Sequence, residues 1–269
     1  MKVRSLWLVA VLSVWALSAY AAAISVDLGT ADSFAVLGGS TVTNTGPSTV
    51  HGNLGLWPGT SISGFPPGIV SGGTIHATDA VAMQAQSDLT TAYNFAAGEP
   101  CGSNLTGTDL GGLSLTSGVY CFSSSAQLTG TLTLNAQGNP NAVFLFQIGS
   151  TLTTASSSSV VFINGGQGDS YSVFWQVGSS ATLGTTTAFA GNILALTSIT
   201  LNTGANIQCG RALARNGAVT MDTNNVSFDT AGCEASTVPE PGTATLLSVG
   251  LLPSLIGYGR LQRKQAPSA

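Results

Sequence analysis

The feature that most constrains this chain is a cadence of short strands returning about every 20 residues. In the stretch Ala181–Thr223 the pattern reads TLGT from Thr182, TLNT from Thr200 and TMDT from Thr220. Laid out in rungs, the second half begins new turns at Val143, Val173, Ile193 and Ala212. Each rung then supplies a second short strand (TLTT, ATLGT, ITLNT, AVTMDT) and a third (VVFIN, AFAGN, ANIQCG, NVSF). A unit that short cannot bury its own apolar face, so neighbouring units must stack. Three strands per turn predict a mainly β fold, a β-helix or β-solenoid of roughly triangular section. The longer step from Val143 to Val173 is absorbed by a loop beginning at Asn164.

The first half carries a looser version. FAVLGG from Phe34, STVTNTG from Ser40 and TVHGNLGL from Thr49 read as one coil, and GVYCF from Gly118 with GTLTLNA from Gly130 as parts of another. Between them, Val81, Ala85, Leu89, Ala92, Tyr93 and Ala96 recur at helical spacing, with Thr78 or Asp79 as N-cap and Gly98 and Pro100 as the stop. This predicts one helix over about 78–97, lying alongside the strand stack on its small alanines.

The ends of the chain read as addresses. Residues 1–23 have Lys2 and Arg4, an apolar run and a small-residue end, the layout of a secretory signal peptide. From Val238 a Pro-Glu-Pro-Gly break precedes an apolar run with Pro253 inside it, closed by Arg260, Arg263 and Lys264. This order resembles the bacterial PEP-CTERM sorting signal, which implies transient membrane insertion of 238–269, processing, and release to the cell surface or outside. The domain is then 24–237.

Only Arg211 and Arg215 of the seven Lys and Arg lie in that body, so no row of phosphates can be neutralised and nucleic-acid binding is excluded. Cys101, Cys121, Cys209 and Cys233 all fall in the exported body, which favours disulfides. The near-sequence pairs 101 with 121 and 209 with 233 are preferred, and the other pairings stay open. The cysteine spacing is wide and His51 and His76 lie far off, so no metal site and no cofactor is expected. Arg211, Arg215 and Asp222 lack the carboxylate cluster of a calcium-dependent polysaccharide lyase, and no Ser-His-Asp set is suggested. The chain reads as no enzyme and as a monomer.

The run DLGTADSFAVLGGSTVTNTGPSTVHGNLGL, the alanine-rich helix after IHATDA, and VFWQVGSSATLGTTTAFAGNILALTSITLNTGA with GRALARNGAVTMDTN are similar to the DUF3494 family of ice-binding proteins, over about Val26 to Phe228. The resemblance implies a discontinuous right-handed β-helix with a long helix packed alongside, and an ice crystal as partner through one flat face. The candidate face has two columns: Thr131, Thr151, Thr182, Thr200 and Thr220, and beside them Thr133, Thr153, Gly184, Asn202 and Asp222. The family's T-A/G-x-T/N pattern offers a rival surface at the following corner, Thr45, Ser48, Thr203 and Asn206. A surface adhesin or matrix protein that binds carbohydrate is the alternative function; exposed threonines also serve β-propensity alone.

Overall fold

The computed structural model describes residues 26–165 and 172–228. Residues 1–23 (expected as a signal peptide), the 238–269 segment, Cys233 and residues 166–171 lie outside the described residues. After a 3-10 turn at Gly29–Ser33, the chain runs through two three-stranded coils: β1 (Phe34–Gly38), β2 (Thr41–Asn44) and β3 (Thr49–His51), then β4 (Asn53–Leu56), β5 (Ser61–Ser63) and β6 (Ile69–Ser71). β7 (Ile75–Ala77) leads into helix α1 (Ala80–Gly98).

The second series opens with β8 (Ser103–Asn104) and β9 (Ser114–Thr116). Five full coils follow: β10 (Gly118–Phe122), β11 (Ala126–Leu128), β12 (Thr131–Asn135); β13 (Val143–Ile148), β14 (Leu152–Thr154), β15 (Ser159–Ile163); β16 (Ser172–Val177), β17 (Ala181–Leu183), β18 (Ala188–Ala190); β19 (Asn192–Ala195), β20 (Ile199–Leu201), β21 (Asn206–Gln208); and β22 (Ala212–Ala214), β23 (Val219–Met221), β24 (Asn225–Ser227).

Corresponding strands pair in parallel and build three sheets. Sheet A runs β7-β4-β1-β22-β19-β16-β13-β10-β8, sheet B runs β11-β14-β17-β20-β23-β2-β5, and sheet C runs β6-β3-β24-β21-β18-β15-β12-β9. The stack is discontinuous. The first coil of the chain pairs with the last, β1 on β22, β2 on β23 and β3 on β24, so α1 must carry the chain from one end of the prism to the other.

Burial shows which face α1 covers. Strands of sheet B alternate, as in β17, β20 and β23, each buried, half-buried, buried. In sheet A, β1, β19 and β22 are buried at every residue, as strands covered on both sides are. Outer side chains of sheet A, Phe34 and Leu37 on β1, Leu145 on β13, Phe174 on β16, Leu194 on β19 and Leu213 on β22, pack with Ala85, Leu89, Ala92, Tyr93 and Ala96 of α1. Asp79 caps the helix, accepting from the Ala82 amide at 2.9 Å. Val81, expected on the inner stripe, is 46% exposed, and Ala82 takes the inward position, in phase with Ala85, Leu89, Ala92 and Ala96.

Inside the prism the coils are joined by a run of rings, Tyr120 on Phe146 (5.4 Å), Phe146 on Trp175 (3.9 Å) and Trp175 against Phe189 (4.9 Å). The Trp175 indole N–H donates to the Ala190 carbonyl at 3.0 Å, so this large side chain is fully buried without an orphaned donor. Phe174, next in sequence, points the other way, beneath α1. Cys101 and Cys121 form the expected disulfide, with Cα atoms 5.8 Å apart, tying the segment after α1 to β10. Cys209 is disulfide-bonded as well.

Candidate ice-binding face

With sheet A covered by α1, two broad faces remain. The outward residues of sheet C are chemically mixed: Thr131 and Thr133 on β12, Ser159 and Val161 on β15, Ala188 on β18, Asn206 and Gln208 on β21, His51 on β3 and Ile69 on β6. Sheet B is different. Registered neighbours run Thr153 to Thr182, Thr182 to Thr200, Thr200 to Thr220, and Thr220 to Thr43. Five threonines therefore form one unbroken column, bounded by Gln127 at one end and Ser63 at the other.

The buried partners Leu152, Ala181, Leu183, Ile199, Leu201, Val219, Met221 and Val42 alternate with these threonines and lie in the interior. At about 4.8 Å per strand, the six intervals of sheet B make a face about 29 Å long. A second column stands two residues before the first: Thr41, Ala218, Ser198, Ser180, Thr151 and Ser125, with the Thr151 hydroxyl donating to Ser125 at 2.8 Å.

This geometry changes the columns expected from sequence. Thr131 and Thr133 belong to sheet C, because TLTLN is the third strand of its coil and pairs with β15; Thr131 meets Ser159 at 2.8 Å. Thr151 leaves the Thr182 column for the serine-rich one, and Thr153 takes its place, since Leu152 registers with Ala181. Gly184 is buried; its amide donates to the Thr154 hydroxyl, and a Cβ there would stand 2.6 Å from the Thr154 carbonyl oxygen. Asn202 and Asp222 are half-buried at the rim between sheets B and C. Thr43, Ser63, Gln127, Ser180 and Ser198 were missed. Thr43 carried a signal, since TVTN repeats the alternation of ITLN, but only the fold brings it beside Thr220.

The rival corner divides in the same way. Thr45 and Thr203 are exposed, whereas Ser48 is fully buried and Asn206 is half-buried, with its amide bonded to Gly204 and its side-chain oxygen accepting from Asn225. Along this corner Ser157, Thr186, Gly204 and Thr223 all have φ between 56° and 73°. Asp109 and Asp222 are acidic groups at the borders of the sheet B columns. Asp109, exposed and bridged to Gln127, accepts from the amides of Gly111 and Thr129. Asp222 accepts from the Thr203 hydroxyl at 2.5 Å, a bond that holds its carboxyl below the ordinary value, with help from Thr223 and Thr45.

The other polar side chains of note are engaged one by one. Arg211 pairs with Asp32 at 2.8 Å and lies over the Phe228 ring, Arg215 lies over the Tyr93 ring at 4.6 Å, and His76 bonds the Asp79 carboxylate at 2.8 Å.

The sequence model described as Ice-binding-like matches residues 36–227. An ice-binding protein of Nostoc sp. (strain HG1) is 61% identical over 249 residues, 91% of either chain. A crystal structure of an ice binding protein from an Antarctic Biological Consortium has a TM-score of 0.70 at 50% identity, covering 75% of this chain and 90% of that one. The ice-binding protein of the Antarctic ascomycete Antarctomyces psychrotrophicus has a TM-score of 0.70 at 40% identity, covering 76% and 98%. A match that runs from β1 to β24, with relatives alike in sequence over most of their length and in fold, makes this chain a member of the Ice-binding-like family.

Proposed function

We propose that the protein binds ice crystals through sheet B and thereby restrains ice growth and recrystallisation. The observation that carries this reading is the column Thr43, Thr220, Thr200, Thr182 and Thr153 on a face without a charged group in either column. Threonine is stiff at χ1, so each methyl and hydroxyl is held in place. Stacked strands repeat that placement at one spacing, and each strand is clamped from below by a close-packed interior. Such a grid orders a layer of water that an ice surface can join.

Each hydroxyl exchanges one water partner for another at a net of about 0.5–1.5 kcal/mol, so area and repetition supply the affinity. Adsorption of this kind requires no reacting group, and the protein acts on the crystal without catalysis. The reading includes export under a signal peptide, sorting through a transiently inserted 238–269 segment, and action as a monomer outside the cell or at its surface. No helix among the described residues is long and apolar enough to cross a membrane.

The test is thermal hysteresis and recrystallisation inhibition of the purified protein beside its Thr200→Tyr variant. Thr200 is at the centre of the column and half-exposed, so a bulky ring there breaks the plane without touching the core. The variant is expected to fold with an unchanged melting temperature and to lose most of the activity. Full activity in Thr200→Tyr places binding elsewhere, with the corner of Thr45 and Thr203 next in line.

A further inference from the structure

The threonine column crosses a seam. Thr153 to Thr220 come from coils that follow one another in the chain, but Thr43 and Ser63 belong to the two N-terminal coils, which dock on the last coil from outside the sequential stack. Burial of Val42 opposes a slip by one residue, which would turn Thr43 inward, but a slip by two keeps the same side chains inside, so strands three or four residues long do not by themselves fix where the docked coil sits. The seam is therefore the place where the plane of the face is least assured by local sequence.

A polar side chain less than 10% exposed bridges the seam or sits beside it at each corner of the triangle. Where sheets C and A meet, Arg211 donates to the Asp32 carbonyl at 2.6 and 3.0 Å and to Asn192 at 2.9 Å. Where A and B meet, the Gln86 amide of α1 donates to Gly38 at 2.9 Å and to Ala214 at 3.0 Å, one carbonyl on either side. The corner between B and C holds a relay through four coils. The Asn224 amide group donates to the carbonyls of Asn202 and Ala205, and its backbone N–H donates to the Ser48 hydroxyl at 2.9 Å. Ser48 donates to the Asn44 side-chain oxygen at 2.5 Å, and the Asn44 amide group donates to the Gly64 carbonyl at 2.9 Å.

Asn44 follows Thr43 and Gly64 follows Ser63, so the relay anchors the backbone next to the two column residues on the far side of the seam. Ser48 is its middle member. It has no solvent exposure, and its hydroxyl is the side-chain group through which the last coil reaches Asn44.

We propose that Ser48 is a positioning residue for ice binding: without touching ice, it holds the N-terminal coils so that Thr43 and Ser63 continue the plane of Thr220, Thr200, Thr182 and Thr153. The proposal rests on the reading of sheet B as the ice-binding face. Because Gln86 and Arg211 hold the seam at the other two corners, Ser48→Ala should loosen one corner and leave the chain folded.

The experiment uses the purified protein with Ser48→Ala, Thr43→Tyr, their combination and Thr200→Tyr, followed by thermal hysteresis and amide hydrogen exchange. Asn224→Ala, which cuts the relay one step further along, stands in if Ser48→Ala does not fold. Thr43→Tyr is expected to lower hysteresis in the otherwise unchanged protein and to have little further effect once Ser48 is alanine. The amides of Thr45 and Thr49, which donate across the seam to Met221 and Asn224, should exchange about tenfold faster or more, the factor that a buried hydrogen bond implies. Those of Ala181 and Ile199, within the sequential stack, should not change.

A residue with only a general structural role would speed exchange throughout and leave the Thr43→Tyr effect intact, and that result overturns the proposal. So does undiminished hysteresis in Ser48→Ala. If Thr200→Tyr itself keeps full activity, the assignment of sheet B fails first, and the relay loses its functional meaning with it.

Discussion

The hydroxyl of Thr43 donates to that of Thr220 across 3.4 Å, although 177 residues separate them in the sequence. This contact joins the N-terminal coils to the main stack on the outward side of sheet B. It lengthens the column of registered threonines from four to five and places Ser63 beyond the fifth. A face assembled only from the sequential coils would end at Thr220.

The far end of the column is open to a gain of function. Gln127 registers with Thr153 and is exposed, and its long amide reaches the Thr129 hydroxyl at 3.2 Å. Replacing it with threonine shortens a mobile side chain to a stiff one and adds a sixth threonine to the column. Gln127→Thr is expected to raise thermal hysteresis modestly with no loss of melting temperature. A decrease would mean that the plane ends at Thr153.

Sheet C provides the control. Thr131→Tyr and Thr133→Tyr place the same ring on the neighbouring face, among residues without a common side chain. Both are expected to keep the hysteresis of the unchanged protein, measured at equal concentration. Loss in either one would move the binding surface from sheet B to sheet C.

The corner between those sheets can be separated from the face by a change in strain. Thr186 and Thr223 have φ of 56° and 57°, where a β-branched residue is disfavoured, while Gly204 occupies the equivalent turn of the coil between them without that penalty. Thr186→Gly should relieve about 1 kcal/mol of strain, partly offset by loss of the 3.0 Å contact between the hydroxyls of Thr186 and Ser157. The melting temperature should stay level or rise, and hysteresis should hold. A clear fall in hysteresis would bring the corner, with Thr45 and Thr203, into the binding surface.

Acid should act through a few carboxylates. Asp222 is held below 3.8 chiefly by the Thr203 hydroxyl, Asp79 by the Ala82 amide and then His76, and Asp88 by the Thr30 hydroxyl. A folded-state value below the unfolded one means that the unfolded chain takes up protons first. The stabilisation is complete above the ordinary carboxylate range and is lost as pH falls through the lowered values. Melting temperature is expected to be level from neutral pH down to about 5 and to decline below about 3.8. Asp79→Ala should remove the helix-cap share and lower the melting temperature at neutral pH, where the carboxylate is charged.

Hysteresis of moderate size is the expectation for the unchanged protein. The second column mixes Thr41, Ser198, Ser180, Thr151 and Ser125 with Ala218, so only one line of the face is uniformly threonine. A hysteresis of several degrees would show that the serine column, or the corner, contributes as much as the threonines do.

Much of this molecule is local and can be read along the chain. The alternation of Thr182, Leu183, Thr200, Leu201, Thr220 and Met221 determines which side chains enter the core, because successive residues of a strand face opposite ways. The return every 20 residues or so determines a stack of coils. The run from Val81 to Ala96, bounded by Asp79 and Gly98, determines a helix, and its small residues suit it to lie close against a sheet, but that Ala82 and not Val81 faces inward was decided by the packing. The paucity of charge sets the kind of surface these coils present.

Register between coils was decided by the tertiary structure. TLTLN of β12 and ITL of β20 look alike in sequence, yet one is a third strand and the other a second. What separates them is where the chain turns a corner, and that depends on backbone conformation at residues such as Gly130 and Thr186. The same holds for Ser48. Its place in a family-like pattern made it a candidate for the surface, but the docking of the first coil on the last buries it between Asn44 and Asn224. Sequence distance carries no trace of that docking, since the pairing of β2 with β23 is a contact between strands whose own sequences would suit any neighbour. The seam closes on buried hydrogen bonds at its three corners, from Arg211, Gln86 and Asn224.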